Sequence, residues 1–278
     1  EYSIDCQDGI KSPIGMSGVR MEAKVHIVTC ANDMAKNIVK CVERCDLKAD
    51  QLIFSALASS YAVLTDDEKE LGICVVDMGA GTMDISVFTG GALRHTAVIP
   101  VAGNQVTSDI AKIFRTPLSH AEEIKVQYAC ALRQLVSMEE NIEVPSVGGR
   151  PARSMSRHTL AEVVEPRYHE LFELIQEELR ECGLEDQIAA GYVLTGGTAK
   201  MEGVVEFAEE VFQMPARVAQ PADVCGLKEY VNDPTYSTVV GLLHYGMQAN
   251  QQQNNEQKKS ESVGSISSRV LAWFKGEF

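Results

Sequence analysis

Two β runs that meet at a glycine turn constrain this chain more than any other feature. Before the turn, Ile73 to Met78 reads as a hydrophobic strand; after it, Met83, Ile85 and Val87 alternate with Asp84, Ser86 and Phe88 as a second strand. The turn itself is Asp77-Met78-Gly79-Ala80-Gly81-Thr82. Gly-x-Gly also occurs in dinucleotide folds, but there the loop must run from a strand into a helix. Here strand leads to strand, which excludes that fold. The Gly79-Ala80-Gly81 backbone can bring N–H groups against phosphate oxygens, Thr82 adds a hydroxyl donor, and Asp77 can hold Mg²⁺ through water. The alternative is a plain glycine hairpin with a capping aspartate.

The flanks extend the pattern. A third β run, Leu93 to Val101, follows Gly90-Gly91 and predicts an antiparallel meander. Upstream, alternation over Val25, Ile27 and Thr29 predicts a strand, and Asn32 or Asp33 opens a helix carrying Met34, Ile38, Val42 and Cys45 that ends near Asp46. A short strand at Gln51 to Phe54, a helix at Leu57 to Leu64 and an acidic turn at Asp66-Asp67-Glu68 place a lobe boundary near residue 70. Downstream, helical patterns at Val106 to Phe114 and Ala121 to Leu135 precede a Gly, Pro and Arg-rich stretch, Val144 to Arg157. A longer helix to Cys182, a buried strand at Tyr192 to Leu194 and a last helix at Tyr236 to Tyr245 complete the α/β texture of a second lobe. A length of 278 residues and 45% hydrophobic content fit about two domains.

Two further segments suit a nucleotide cleft. Leu194-Thr195-Gly196-Gly197-Thr198 sets two glycines at a strand-to-helix turn, where backbone can press on a nucleoside and a helix N-terminus faces phosphates. Glu122 and Lys125, three apart on one helix, could grip ribose hydroxyls and base; a solvated ion pair is the alternative.

A formal charge of -14 repels nucleic acid and leaves anionic partners dependent on a local basic patch. The eight cysteines contain no Cys-x-x-Cys pair, and thiols packed in a reduced core are expected, the Cys41 and Cys45 pair included. No run approaches the ~18 apolar residues of a spanning helix, and no signal peptide opens the chain, which predicts a cytoplasmic address. Residues 247 to 262 are nearly devoid of apolar side chains and read as a flexible tether. As a helix, the segment after it gathers Val263, Ile266, Val270, Leu271, Trp273, Phe274 and Phe278 within an arc of about 160°, the pattern of an interfacial membrane helix. A terminal helix docked on its own protein is the alternative.

Taken in order, VVDMGAGTMDISVFTGGALRHTAVIPVAGNQVTSDIA, EEIKVQYACA, VPSVGGRP, VLTGGTAKMEG, YSTVVGLLHYG and the amphipathic end resemble the actin, sugar-kinase and chaperone ATPase superfamily. Within it they resemble the FtsA family of bacterial division proteins, over nearly the whole chain. The resemblance implies an actin-like, ribonuclease H-like two-lobe ATPase fold with a C-terminal amphipathic helix. Residues 1 to 30 would then end subdomain 1C, 31 to 70 complete 1A, and 71 to 246 form 2A and 2B, with 2B roughly 115 to 160. Residues 247 to 262 would be the linker and 263 to 278 the membrane-targeting helix.

The resemblance also implies ATP and Mg²⁺ as cofactors, with Asp77, Gly79, Ala80, Gly81, Thr82, Glu122, Lys125, Gly196, Gly197 and Thr198 at the nucleotide. It implies self-association into actin-like polymers, anchoring of FtsZ polymers at the cytoplasmic face of the inner membrane at the septum, and recruitment of later division proteins. Arg150, Arg153, Arg157 and Arg167, with Glu170, form a local basic exception suited to the acidic FtsZ C-terminal tail; solvated or internally paired arginines are the alternative. Two departures stand out. The chain opens Glu1-Tyr2-Ser3 inside what reads as a domain, so a fragment lacking the superfamily's first phosphate loop is expected. Where superfamily hydrolases carry Glu or Gln, the sequence reads Ser55-Ala56-Leu57-Ala58, so hydrolysis is expected to be slow or dispensable. An active sugar kinase or ATPase, or an MreB-like shape-determining filament, are the competing readings.

Overall fold

A computed structural model describes residues 1–148, 150–224, 226 and 228–250. The chain opens with three short strands, β1 (Tyr2–Ile4), β2 (Gln7–Ile10) and β3 (Met21–Ala23), in one small antiparallel sheet. Residues 24–31 carry no regular structure, so the strand expected over Val25 to Thr29 is not formed; Val25 and Ile27 are exposed and no ladder partner lies beside them among the described residues. Helix α1 (Asn32–Glu43) follows, with Ala31 at its N-cap and no capping side chain. The strand expected at Gln51 to Phe54 is also absent, and those residues lead as coil into α2 (Ser55–Val63). The acidic turn is a short helix, α3 (Asp66–Leu71), opened by a capping box in which Thr65 and Glu68 exchange hydrogen bonds.

The meander forms as its alternation requires. Strands β4 (Ile73–Met78), β5 (Met83–Thr89) and β6 (Ala92–Ile99) pair antiparallel, with Met78 opposite Met83, Asp77 opposite Asp84 and Val75 opposite Ser86. Beyond it come α4 (Gly103–Phe114), α5 (Leu118–Tyr128), the hairpin β7 (Asn141–Val144) and β8 (Arg153–Ser156), and the long α6 (Arg157–Glu181). The helix expected to reach Leu135 stops at Tyr128, and the Gly, Pro and Arg-rich stretch contributes the second strand of the hairpin. Strand β9 (Tyr192–Thr195), α7 (Val204–Phe212), β10 (Ala216–Val218), α8 (Lys228–Val231) and a helix over 237–250, α9, complete the described chain. Residues 247–250 continue α9, where the sequence suggested the start of a tether; the remainder of that segment and the amphipathic end lie outside the described residues.

The main sheet runs β10-β9-β4-β5-β6, parallel on the β4, β9 and β10 side and antiparallel on the other. Period-2 geometry sorts each strand between two layers. Cys74, Val76, Met78, Met83, Ile85, Val87, Tyr192 and Leu194 join the larger core with α4, α6 and α7, where Tyr168, Leu171, Phe172, Ile175 and Leu179 are fully buried. Ile73, Val75, Phe88 and Val193 face the smaller core with Ala62, Val63 and Val240. Asp77 and Asp84 fall in that second register, so both carboxylates project toward α2 at the end of the sheet where the glycine turn lies. The thiols are not all core residues as expected: Cys74 and Cys130 are buried, while Cys6, Cys30, Cys41 and Cys45 are exposed.

Candidate functional site

The turn between β4 and β5 is closed by the Gly79 amide donating to the Thr82 carbonyl at 2.9 Å. Neither Gly79 nor Gly81 has a positive φ, so backbone geometry does not call for glycine at either. A Cβ built on Gly81 would meet nothing within 4 Å, and one on Gly79 would meet only the Thr82 carbonyl, at 3.1 Å. Packing does not require glycine at 81 either. What its absent side chain leaves is open space against bare backbone, the condition for close approach of an oxyanion.

Three distant segments dock on this turn. At the start of α4, the Gly103 amide donates to the Gly79 carbonyl at 3.2 Å and the Asn104 amide to that of Ala80 at 2.7 Å. Thr198 donates its hydroxyl to the same Gly79 carbonyl at 2.7 Å, and any side chain on Gly103 would overlap that hydroxyl. Tyr168, fully buried on α6, fixes the Thr198 carbonyl with a 2.8 Å bond. Gly196, at φ +86°, leaves room that a Cβ would take from Asp77 Oδ1 and the Met78 carbonyl; Gly197 lies beside Thr235. On α5, Glu122 and Lys125 form an ion pair at 2.8 Å, and Lys125 also reaches Thr107 Oγ1 at 3.0 Å and the Gly103 carbonyl at 3.3 Å. Burial raises the proton affinity of Glu122, and hydrogen bonds from Lys125 and Thr107 outweigh it, holding the carboxyl below its usual range. The pair is thus an ion pair and a neighbour of the glycine turn at once.

Asp77 sits at the end of β4. Its Oδ2 accepts from Ser59 at 2.5 Å and from Thr238, near the start of α9, at 2.9 Å. Across the ladder, Asp84 Oδ2 accepts from Ser55 at 2.5 Å. Ser55 and Ser59 are one helical turn apart, so α2 presents one hydroxyl to each carboxylate. Burial, and secondarily the charge of Asp77, push the Asp84 carboxyl up against the hydrogen bonds from Ser55 and Thr82. The sequence reading missed Ser55, Ser59, Asp84 and Thr238. The Ser-x-x-x-Ser spacing and the two aspartates equidistant from the turn were the available signal. Two carboxylates suit a hard cation that keeps most of its waters. Among the described residues no group of three or more His, Cys, Asp or Glu converges, so the protein's share of such a shell is small.

The expected partner-binding residues differ in what they already contact. Arg157 donates to the Tyr128 carbonyl and to Glu140 and Glu202, and Arg167 pairs with Asp109 at 2.6 Å and with Glu170. Arg153 donates to the Phe114 carbonyl but, with Arg150 and Arg115, also lines a cavity of about 510 Å³ beside the β7–β8 hairpin. Ser146, whose hydroxyl is buried without a partner, lines it too. The candidate membrane residues, Val263 to Phe278, lie outside the described residues. Within the described residues no helix is long and apolar enough to cross a membrane.

A family model described as "Cell division protein FtsA" matches residues 74–241, and one described as "SHS2 domain inserted in FTSA" matches residues 1–29. The FtsA proteins of Escherichia coli K12 and Pseudomonas aeruginosa are each 58% identical over the whole chain, which spans 68% of their length; that of Neisseria meningitidis is 44% identical. Among solved structures, MreB5 of Spiroplasma citri bound to ADP superposes with a TM-score of 0.63 at 18% identity, covering 81% of this chain and 68% of that one. The MamK double helical filament superposes at 0.61 and 16% identity, covering 78% and 66%.

Proposed function

Since this chain belongs to the FtsA family of cell division proteins and has the actin-like fold, we propose that the turn at Gly79 to Thr82 is the phosphate-binding half of an ATP cleft in a membrane-anchored division-site adaptor. One observation carries the reading: the Gly79 carbonyl is the common acceptor of Gly103 and Thr198, while Lys125 bonds Gly103, so segments scattered over more than a hundred residues are fastened to one open turn. The bare backbone at Gly81 leaves the turn open to phosphate oxygens. Glu122 and Lys125 stand beside it for ribose and base. Mg²⁺ is assigned to Asp77 through water, with hydrolysis weak. The structural neighbour MreB5, bound to ADP, supports nucleotide binding by a chain of this fold.

In this reading residues 1–30 end subdomain 1C, a boundary supported by the SHS2 match over 1–29, residues 31–70 complete 1A, and 71–246 form 2A and 2B. Polymerisation of actin-like protomers, supported by the filament-forming neighbour MamK, arrays weak lipid-binding tails into avidity and tethers FtsZ polymers to the inner leaflet at the septum. Arg150 and Arg153, at the cavity they share with Arg115, are the better seat for an acidic FtsZ tail, because Arg157 and Arg167 already have carboxylate partners. The test is titration of the complete natural protein and its Gly103→Ala variant with a fluorescent ATP analogue and Mg²⁺, with thermal melting as control. Wild type should bind and the folded variant should bind markedly less. No binding by wild type refutes the reading.

A further inference from the structure

Thr198 reads from the sequence as a nucleotide contact, yet its hydroxyl is turned to the protein and donates to the Gly79 carbonyl at 2.7 Å. The Gly103 amide donates to the same oxygen, and the Asn104 amide to the Ala80 carbonyl. Both carbonyls of the turn are therefore held toward α4 and the Gly196 to Thr198 loop. No peptide among the described residues is cis, and in a trans peptide the N–H points opposite to the C=O. Holding the Gly79 carbonyl thus aims the Ala80 amide away from α4 and that loop, and holding the Ala80 carbonyl does the same for the Gly81 amide. Ala80 and Gly81 are exposed, and neither amide has an acceptor among the described residues. Free backbone N–H groups of this kind suit the oxygens of an anion.

Thr198 is itself held in place. Tyr168 donates to its carbonyl at 2.8 Å, is fully buried, and packs edge-on against Phe172, so its hydroxyl cannot turn to solvent. The preceding residue on α6, Arg167, pairs with Asp109 of α4 at 2.6 Å. Adjacent residues of one helix thus back both segments that grip the turn. The fit at the junction is close: a Cβ on Gly103 would overlap the Thr198 hydroxyl, whereas its next neighbours, the Gly79 carbonyl and the Lys125 ammonium, would lie at 3.4 and 3.5 Å, ordinary contact. We propose that Thr198 and Tyr168 are positioning residues for the phosphates of the nucleotide and touch neither base nor sugar. Thr198 sets the direction of the turn's amides through the Gly79 carbonyl, and Tyr168 keeps Thr198 where it can do so. The proposal rests on the nucleotide reading above.

The test uses the complete natural protein as wild type, Thr198→Ala, Thr198→Ser, Tyr168→Phe, Gly103→Ala, and Gly103→Ala combined with Thr198→Ala. Affinities for ATP and for adenosine are measured with Mg²⁺ by competition against a fluorescent ATP analogue, with thermal melting alongside. One hydrogen bond is worth about five- to tenfold in an equilibrium, so Thr198→Ala and Tyr168→Phe should bind ATP more weakly by about that factor. Adenosine affinity should change less than about twofold, because the lost contact acts on the phosphate side alone. Thr198→Ser keeps the donor and should bind ATP as wild type does. Gly103→Ala should bind ATP markedly less, and adding Thr198→Ala should bring the affinity to that of Thr198→Ala alone, since the overlapped atom is gone. Equal losses of ATP and adenosine affinity in Thr198→Ala would make Thr198 a direct nucleoside contact and overturn the assignment. Unchanged ATP affinity in that variant overturns it too, as does a Gly103→Ala defect that Thr198→Ala does not relieve. If Tyr168→Phe fails to fold, the Thr198 series decides. Wild type that binds no ATP removes the nucleotide reading and this assignment with it.

Discussion

Thr238, in the first turn of α9, donates to the same Asp77 oxygen that accepts from Ser59, and the two hydroxyls are themselves 2.9 Å apart. The helix that runs toward the C-terminal segment is therefore hydrogen-bonded to the aspartate that precedes the glycine turn. Thr238→Val keeps the shape and removes the donor. A hydrogen bond to a charged group contributes about 1.5–3 kcal/mol, so urea unfolding should show a loss of that order. With Asp77 less constrained, more Mg²⁺ should be needed for half-maximal ATP binding, and Thr238→Ser should restore both. An unchanged Mg²⁺ requirement in the valine variant would mean that Asp77 does not serve the cation.

Gly241 sits where α9 crosses α2, and a Cβ there would overlap the Ala58 carbonyl. Gly241→Ala must push the two helices apart, and overpacking of this kind costs about 1–3 kcal/mol. The same displacement carries Thr238 away from Asp77, so thermal stability and ATP affinity should fall together. A melting temperature equal to wild type would show that the crossing is not tight.

Gly81 gives the opposite expectation. Its Cβ position is open and its φ is not left-handed, so Gly81→Val should fold with little loss of stability. A branched side chain there would stand where an oxyanion must approach the backbone, and binding of a fluorescent ATP analogue should be abolished. Undiminished binding by the folded variant would reject the turn as the phosphate site.

The meander and its turn were legible because period-2 alternation and glycine punctuation are local signals, and β4 and β5 run as read. The strands expected at Val25 to Thr29 and Gln51 to Phe54 had the same local pattern but no ladder to join, and pairing decides a strand more than propensity does. Ser59 and Thr238 are 179 residues apart, and nothing in either neighbourhood marks a shared partner. Likewise Asp84 read as the polar half of an alternating strand until α2 was seen lying across it. Contacts between elements are not written in the periodicity of either one.

The raised Asp84 carboxyl has a sign that can be checked in the folded protein. A group whose folded-state pKa exceeds its unfolded value favours the fold while protonated, and that contribution is lost as pH rises through the folded pKa. Asp84→Asn has no proton to lose there and keeps an oxygen for Ser55. Its stability relative to wild type should therefore increase as pH climbs from the ordinary aspartate range toward neutrality, in chemical denaturation at a series of pH values. A pH-independent difference between the two proteins would show that Asp84 titrates normally.

The final prediction concerns the apolar arc of Val263 to Phe278, assigned from sequence alone. At 100° per residue Phe274 lies about 20° from the middle of that arc, so Phe274→Glu places a charge where the helix would meet acyl chains. Each side chain on the arc is worth up to ~1.5–3 kcal/mol if fully immersed, and partial immersion makes one tail a weak, reversible anchor that a single charge can defeat. Liposome co-sedimentation should collapse, most visibly for unpolymerised protein, where no array of tails compensates. Because α9 ends its described course upstream of this segment and the intervening residues are polar, ATP affinity and melting temperature should match wild type. Equal sedimentation of variant and wild type refutes the anchor. A lowered melting temperature would instead reveal a terminal helix packed on its own protein, since only then would the charge be buried against the fold.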